Sequence, residues 1–431
     1  MKKKVTILSQ GCRLNHAETA TIINEFSESG YLDVDLTDNP EIVVINTCTV
    51  TENGDKDTIR LVNKINKTTN NAKIALIGCQ SQVKKGALLK LNNVEWVIGN
   101  DHKLDTVSLI LNKKKGVNAN KIQKKTFFQQ YSSFDPRHTR VNLKIQDGCD
   151  FFCSFCIIPF ARGPARSRDY DNVLNDAKSL ISLGVKEIIL TGINLGTYES
   201  NGKSFYNLLD ALLNINSNIR FRISSIEPTT IDERMIQLWN KYPNLCRYLH
   251  LPLQSGTNEI LKKMRRKYDL KEFDNYITSI SNEISNICIG TDVIVGFPGE
   301  TDDLFEKTYQ FLETAPINYF HVFSYSERSM AHARKFEDKV PINSIKERSK
   351  QLRTLSKKKW REFCINQLGR VKTILFESKK NNYWMGTTDD YIKVACKSDE
   401  NLKNMVLPVC LKTYENEQVY GKIEALRKKK K

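Results

Sequence analysis

No apolar run in this 431-residue chain approaches the roughly 18 residues that an α-helix needs to cross a bilayer, so no membrane span is expected. Near its start, Val5 to Leu8 follows Lys2-Lys3-Lys4 but breaks at Ser9-Gln10, too short for the core of a secretory signal. Without an export signal, the 11 cysteines are expected to stay reduced and free to bind metal, in a cytoplasmic protein. A second Cys-x₂-Cys pair is also missing, which counts against the usual two-pair zinc site.

What is there instead is a single run, Cys149, Cys153 and Cys156, in the pattern Cys-x₃-Cys-x₂-Cys. Such a run folds around a cuboidal iron–sulfur cluster while supplying one ligand too few. The iron left over is open to a small molecule, whereas a structural site closes its shell with a fourth protein ligand. Zinc completed by a distant fourth ligand is the alternative.

Three further cysteines share one local context. Lys4 to Leu8, Glu41 to Asn46 and Lys73 to Gly78 read as short buried strands, and Cys12, Cys48 and Cys79 follow them, each at a turn before a helical stretch. In a parallel α/β sheet these turns share the carboxyl edge. Helix amino termini at that edge favour an anionic group. The alternative is three unrelated core cysteines. Cys246, Cys288, Cys364, Cys396 and Cys410 show no ligand spacing and are expected in cores.

The net charge is +17, a balance that attracts polyanions. A lysine-rich composition alone gives such a sum, so the clusters say more: Lys113 to Lys115, Lys124-Lys125, Arg265 to Lys267, Lys346 to Arg361 and the tail Arg427 to Lys431.

The chain divides into an α/β unit at residues 1–112, a polar linker at 113–134, a core at 135–366 and a small domain at 367–431 with a basic tail. Strands are expected at Val141 to Gln146, Glu187 to Gly192, Ile219 to Ile226, Arg247 to Leu251, Ile289 to Gly296 and Asn318 to Tyr325, with a helix from Val173 to Leu183 stopped by Gly184. Six strands with intervening helices suggest a partial parallel barrel, whose chemistry sits at strand carboxyl ends. After Pro341 an amphipathic helix carries Ile345, Leu352, Leu355, Trp360 and Phe363 near one face. Five short strands follow and suit a small β-barrel. Tyr383, Trp384 and Tyr391 could stack on RNA or fill that barrel.

Around the cysteine run, Lys144-Ile145-Gln146-Asp147-Gly148 leads in and Ile157 to Arg168 leads out. With Gly11 to Asn15, Asn46 to Thr51 and Gly78-Cys79-Gln80, these segments resemble the radical S-adenosylmethionine (SAM) methylthiotransferases over nearly the whole chain. The resemblance implies an α/β protein with an N-terminal parallel, Rossmann-like domain, a central partial (β/α)₆ radical SAM barrel and a C-terminal small β-barrel of the TRAM kind. It implies two [4Fe-4S] clusters: one on Cys149, Cys153 and Cys156 that cleaves S-adenosylmethionine, and one on Cys12, Cys48 and Cys79 that carries sulfur. Cofactor contacts are implied at Gly192, Asn194, Ser225, Glu227, Gln254, Asp292 and Gly296.

Arg162, Arg166 and Arg168 are candidates for a cofactor carboxylate, an RNA phosphate or a substrate carboxylate. Arg166-Ser167-Arg168 without a following proline, and Tyr325 to Arg328, resemble the branch acting on N6-threonylcarbamoyladenosine in tRNA. Methylthiolation of isopentenyladenosine or of a ribosomal protein are the alternatives within the family, and a zinc-containing RNA-binding protein is the alternative outside it. Ser329 to Ala333 departs from the family's proline-glycine-threonine turn, and His332 there is expected on a surface loop. Expected partners are a tRNA anticodon stem-loop, an electron donor of flavodoxin or ferredoxin type and a sulfur source.

Overall fold

The structure, a computed structural model, describes residues 3–127, 129 and 138–424. The basic tail at 427–431, part of the expected linker (128 and 130–134) and the expected start of the core (135–137) lie outside the described residues.

The amino-terminal unit is a wholly parallel six-stranded sheet in the order β2-β1-β3-β4-β5-β6. Its strands are β1 (Lys3–Ser9), β2 (Tyr31–Asp33), β3 (Ile42–Thr47), β4 (Lys73–Gly78), β5 (Val94–Ile98) and β6 (Gly116–Asn118). All of β3 is buried, as a parallel strand covered on both faces must be. Alternate residues feed opposite cores. Val44, Ala75 and Ile77 pack with Ile22 and Phe26 of helix α1 (Arg13–Glu28). Val43, Ile45, Ile74 and Leu76 pack with Val62 and Ile65 of α2 (Glu52–Thr68). Thr51 caps α2 by accepting from the Gly54 N–H at 3.2 Å.

The sixth strand corrects the expected boundary, because it lies inside the segment read as linker. Lysine and asparagine dominate that segment, and the edge position of β6 needs little apolar sequence.

Beyond it, β7 (Arg140–Lys144), Glu187–Thr191 and Arg220–Ile223 form one parallel trio of strands, and Tyr248–His250, Cys288–Val295 and Tyr319–Ser324 form another. A parallel bridge from Phe221 to Leu245 joins the two arcs. The result is the expected six-stranded partial barrel around one apolar core. The helix expected from Val173 begins earlier, at Tyr170, because Asp169 caps it by accepting from Asn172 N–H at 2.9 Å. Ile342–Ile365 is the long helix after Pro341; Leu352, Leu355 and Phe363 are buried on it.

The last strands close a five-stranded barrel in the order Val371–Lys380, Tyr383–Thr388, Lys393–Lys397, Gln418–Ile423, Val406–Glu415. Trp384 belongs to its core, which settles that residue as packing. Cys246, Cys288, Cys364, Cys396 and Cys410 are buried as expected, and His332 is exposed.

Buried ions dock this barrel. Glu187 accepts from Arg220 at 2.5 Å and Arg222 at 2.8 Å, and those guanidiniums donate onward to the carbonyls of Thr373, Thr387, Thr388 and Asp389. No helix among the described residues is long and apolar enough to cross a membrane.

Candidate functional site

Cys12, Cys48 and Cys79 end up together because β1, β3 and β4 are neighbours in register. Ser9 pairs with Asn46 and Thr47 with Gly78, so the three strands stop at one level and their turns share one edge. Cys12 stands at the amino terminus of α1 and Cys79 opens the short helix α3 (Cys79–Lys84). Burial pushes the Cys48 thiol up to about 11, with Cys79 and Cys12 adding to the rise, so the three sulfurs feel one another. Asn100 Nδ2 donates to the Cys79 sulfur at 3.4 Å and to the Ala161 carbonyl at 2.7 Å.

The second trio follows β7. Cys149 N–H donates to the Gly163 carbonyl and Cys156 N–H to that of Cys153, folding the run into a tight loop. Ser154 ties the loop down through Met264 and Lys263. Burial raises all three thiols, Cys149 to about 11 and Cys156 to about 12, and Cys149 and Cys156 are each raised further by Cys153. Thiols this reluctant to ionise alone become thiolates when a metal's charge offsets the burial. Arg266 Nη1 lies 3.3 Å from the Cys153 sulfur.

The two trios share one neighbourhood. Helix α3 packs on Ile158–Arg162, the helix directly after Cys156. A cavity of about 180 Å³ is lined by Val50 and Thr51 from the first unit and by Phe155, Cys156, Gln254 and Asp292 from the barrel. Arg328 crosses the same boundary to Asp55 at 2.6 Å and Thr49 at 3.0 Å.

The remaining expected contacts distribute unevenly. Gln254 and Asp292 face the cavity. Asp292 Oδ1 is 3.2 Å from His250 Nε2, whose other ring nitrogen meets Ser225 Oγ at 3.2 Å. Glu227 pairs with Arg266. Gly192 sits against Gln146, whose Oε1 accepts from the N–H groups of Ile193 and Asn194 and so holds that loop. Asn194 is buried, accepting from Thr230 Oγ1 at 3.1 Å. Gly296 serves packing instead: its N–H donates to Glu300, and a Cβ there would meet Ile345 at 2.3 Å.

The arginines after Cys156 require a correction. Arg162 and Arg168 have no exposed surface. Arg162 donates to Glu18, Asp147 and Asn15, at 2.6 Å for the last. Arg168 pairs with Asp176 at 2.6 Å, and Arg166, partly buried, with Asp147 at 3.0 Å. Each is charge-paired within the protein, because a buried guanidinium takes the nearest carboxylate to offset its lost hydration, while Nε of Arg162 and of Arg166 keeps no hydrogen-bond partner among the described residues.

Those carboxylates are the residues that sequence reading missed. Glu18 on α1 also binds Lys103 and Lys144, each at 2.6 Å, and Asp147 binds Lys144 at 2.7 Å. Burial alone would raise Glu18, but Arg162, Lys103 and Lys144 hold it well below the usual carboxylate range. Two carboxylates thus face four cations, leaving a positive surplus beside Cys79 and Cys12, both of which raise the Arg162 pKa.

This chemistry fits two anionic iron–sulfur groups. Each site offers three sulfur donors, cations face both, and Arg162 Nε and Ser81 Oγ are buried donors with no hydrogen-bond partner beside the first trio. The donor pattern matches a charge-assisted N–H···S contact from Arg162 and an O–H···S contact from Ser81 to cluster sulfurs.

Residues 143–312 match the Radical SAM superfamily and residues 4–99 match the family described as Uncharacterized protein family UPF0004. The chain is 34% identical over 414 residues to the threonylcarbamoyladenosine tRNA methylthiotransferase MtaB of Bacillus subtilis, covering 93% of this chain and 91% of that one. Identity is 34% to the Aquifex aeolicus protein of the same name, covering 91% and 96%. It is 30% to a tRNA-2-methylthio-N(6)-dimethylallyladenosine synthase of Helicobacter pylori, covering 94% and 95%. Among solved structures, the radical S-adenosylmethionine methyltransferase TsrM of Kitasatospora setae shares the fold, with a TM-score of 0.55 and 16% identity over 75% of each chain.

Proposed function

The chain belongs to the radical S-adenosylmethionine methylthiotransferases, and from that premise we propose that it transfers a methylthio group to carbon 2 of the adenine in N6-threonylcarbamoyladenosine, beside the anticodon of tRNA. The observation that carries this reading is the packing of the helix opened by Cys79 on the helix that follows Cys156, with Cys156 lining one cavity together with Val50 and Thr51, which follow Cys48. The relatives at 34% identity bear the threonylcarbamoyladenosine name, whereas the dimethylallyl type stands at 30%.

The reaction replaces an aromatic C–H bond that has neither an acidic proton nor a leaving group, so acid–base side chains alone cannot perform it. Cys149, Cys153 and Cys156 would hold a [4Fe-4S] cluster that, with S-adenosylmethionine, would supply radical chemistry, and Cys12, Cys48 and Cys79 would hold a second that, with another S-adenosylmethionine, would supply the methylthio sulfur.

The chain's own residues do the positioning. Arg266 orients the Cys153 sulfur and Glu227 together. Gln146 holds the Gly192–Asn194 loop at the mouth of the barrel. Phe155, Ile157 and Ile158 give the cavity an apolar wall that excludes water. The target base enters from a single-stranded loop, where it can be splayed out of its stack. A flavodoxin- or ferredoxin-type donor and a sulfur source complete the cycle, in the cytoplasm where tRNA is modified.

Nucleoside mass analysis of tRNA from cells lacking the gene tests the reading. Loss of the 2-methylthio form of threonylcarbamoyladenosine is expected. Loss of the isopentenyl form instead would reassign the substrate, and an unchanged tRNA profile would remove tRNA from the proposal.

A further inference from the structure

Arg13 follows Cys12 directly, at the first position of α1. It is half-buried, and its Nη2 donates to the Tyr391 hydroxyl at 3.1 Å. Among the described residues no carboxylate lies within ion-pair distance of it. The other arginines around the two trios are all committed: Arg162 to Glu18 and Asp147, Arg166 to Asp147, Arg266 to Glu227, and Arg328 to Asp55. A guanidinium carries five N–H donors in a planar fork, and the contact to Tyr391 fixes its orientation while leaving most of that fork unassigned.

Tyr391 is a built anchor. It belongs to the small barrel domain and sits at φ +76°, a conformation rare for an aromatic residue. Its ring lies 4.5 Å from that of Tyr248 and 6.4 Å from that of Tyr319, and the Arg222 guanidinium stands 5.4 Å from its centre. Backbone strain of this kind persists where the surroundings over-determine it, and it gathers at functional sites.

A relay of ring contacts links the anchor to the reaction centre. Tyr319 meets His321 edge-on at 5.3 Å, His321 lies 5.9 Å from His250, and His250 reaches Asp292 in the cavity wall beside Cys156. Contacts therefore run unbroken from Cys12 through Arg13 and Tyr391 to the cavity. In adenine, C2 and C6 both border N1. A base that presents C2 to sulfur held near Cys12 therefore brings its N6 substituent within reach of the next side chain.

Resting on the threonylcarbamoyladenosine reading, we propose that Arg13 is the specificity-determining residue that binds the threonyl carboxylate, with Tyr391 as the residue that positions its fork. A bidentate guanidinium–carboxylate pair gives both strength and geometry. A neutral isoprenoid group at the same place leaves the fork without a partner and strips its water, so the same arginine rejects that substrate.

The test uses cluster-loaded enzyme and anticodon stem-loops of one sequence whose target adenosine is unmodified, threonylcarbamoylated, or threonylcarbamoylated with its carboxylate as the methyl ester. Wild type should bind the free acid about 10- to 100-fold more tightly than the ester. Arg13→Gln should bring acid and ester within about threefold, and Arg13→Lys should recover part of the difference by charge alone. Tyr391→Phe should weaken acid binding without affecting the ester.

An Arg13→Gln enzyme that still prefers the acid as wild type does would overturn the assignment and leave the proposed substrate standing. Wild type that treats acid and unmodified loops alike would overturn the substrate reading, and Arg13 with it. Iron content and visible absorption are measured alongside; loss of iron in Arg13→Gln would make Arg13 part of the cysteine site's architecture and refute its role as a carboxylate reader.

Discussion

Arg266 holds one guanidinium nitrogen 3.3 Å from the Cys153 sulfur and another on the Glu227 carboxylate, so a single buried cation ties the three-cysteine loop to the polar wall of the barrel. Its place in the sequence, within Arg265-Arg266-Lys267, looks like a basic surface cluster. The fold instead turns Arg266 inward beneath Tyr268, which accepts from it at 3.0 Å.

That contact has an electrochemical consequence. An N–H donor and a positive charge beside a cluster sulfur stabilise the reduced, more negative state. Arg266→Gln should shift the potential of the cluster at Cys149, Cys153 and Cys156 to more negative values and slow cleavage of S-adenosylmethionine. Redox titration followed by electron paramagnetic resonance reads the shift, and a potential equal to wild type would rule the role out.

The two trios should separate by function. Replacing Cys12, Cys48 and Cys79 together with Ala should abolish methylthiolation and halve the iron content, roughly, while 5′-deoxyadenosine still forms. If a well-folded triple variant no longer cleaves S-adenosylmethionine, the division of labour between the sites is mistaken.

Gly11 offers a subtler probe of the first trio. It sits at φ +87°, and a Cβ there would stand 2.7 Å from the Cys48 Cβ and 2.8 Å from its sulfur. Gly11→Ala should therefore push Cys48 out of line and lower iron loading at that site. Iron analysis with sulfide quantification checks this; full loading in the variant would show that the turn can yield.

Acid should undock the small barrel through Glu187. Burial alone would raise its pKa, yet Arg222, Arg220 and Arg140 hold it well below the usual carboxylate range. The unfolded chain then binds more protons than the folded one in that window. Stability is complete above the ordinary glutamate pKa and is lost as pH falls toward the depressed folded value. Glu187→Gln leaves the buried Arg220 and Arg222 without their charge partner, which costs about 3–5 kcal/mol at pH 7. It should also flatten the acid limb of a denaturation series run from about pH 5 down to about pH 2; curves that fall in parallel for both proteins would exclude Glu187 as the cause.

Much of the architecture was legible because it follows from short periods. Residues 42–45 and 74–77 are apolar throughout, as strands covered on both faces require, and the turns after β1, β3 and β4 each show their cysteine. The ion pairs were not legible. Arg162 and Glu18 stand 144 positions apart, and neither carries a local signal of its partner. Reading Arg162 as a cation free for a carboxylate or phosphate was natural for an Arg-Gly-Pro-Ala-Arg segment. Its burial comes from the first unit closing over it.

Residue order alone thus determined where the buried strands lie, which cysteines fall at their carboxyl ends, and that six of them group by threes, since spacing and apolar periodicity are properties of neighbours along the chain. Tertiary structure decided which charges are used up in the interior and which remain for a ligand. It joined Arg162 to Glu18, Arg328 to Asp55 and Arg222 to Glu187, and it left Arg13 facing Tyr391 with no carboxylate in ion-pair reach among the described residues. Desolvation is the reason: once a charge is buried its partner is set by what the fold brings within about 3 Å, a distance in space that position along the chain does not encode.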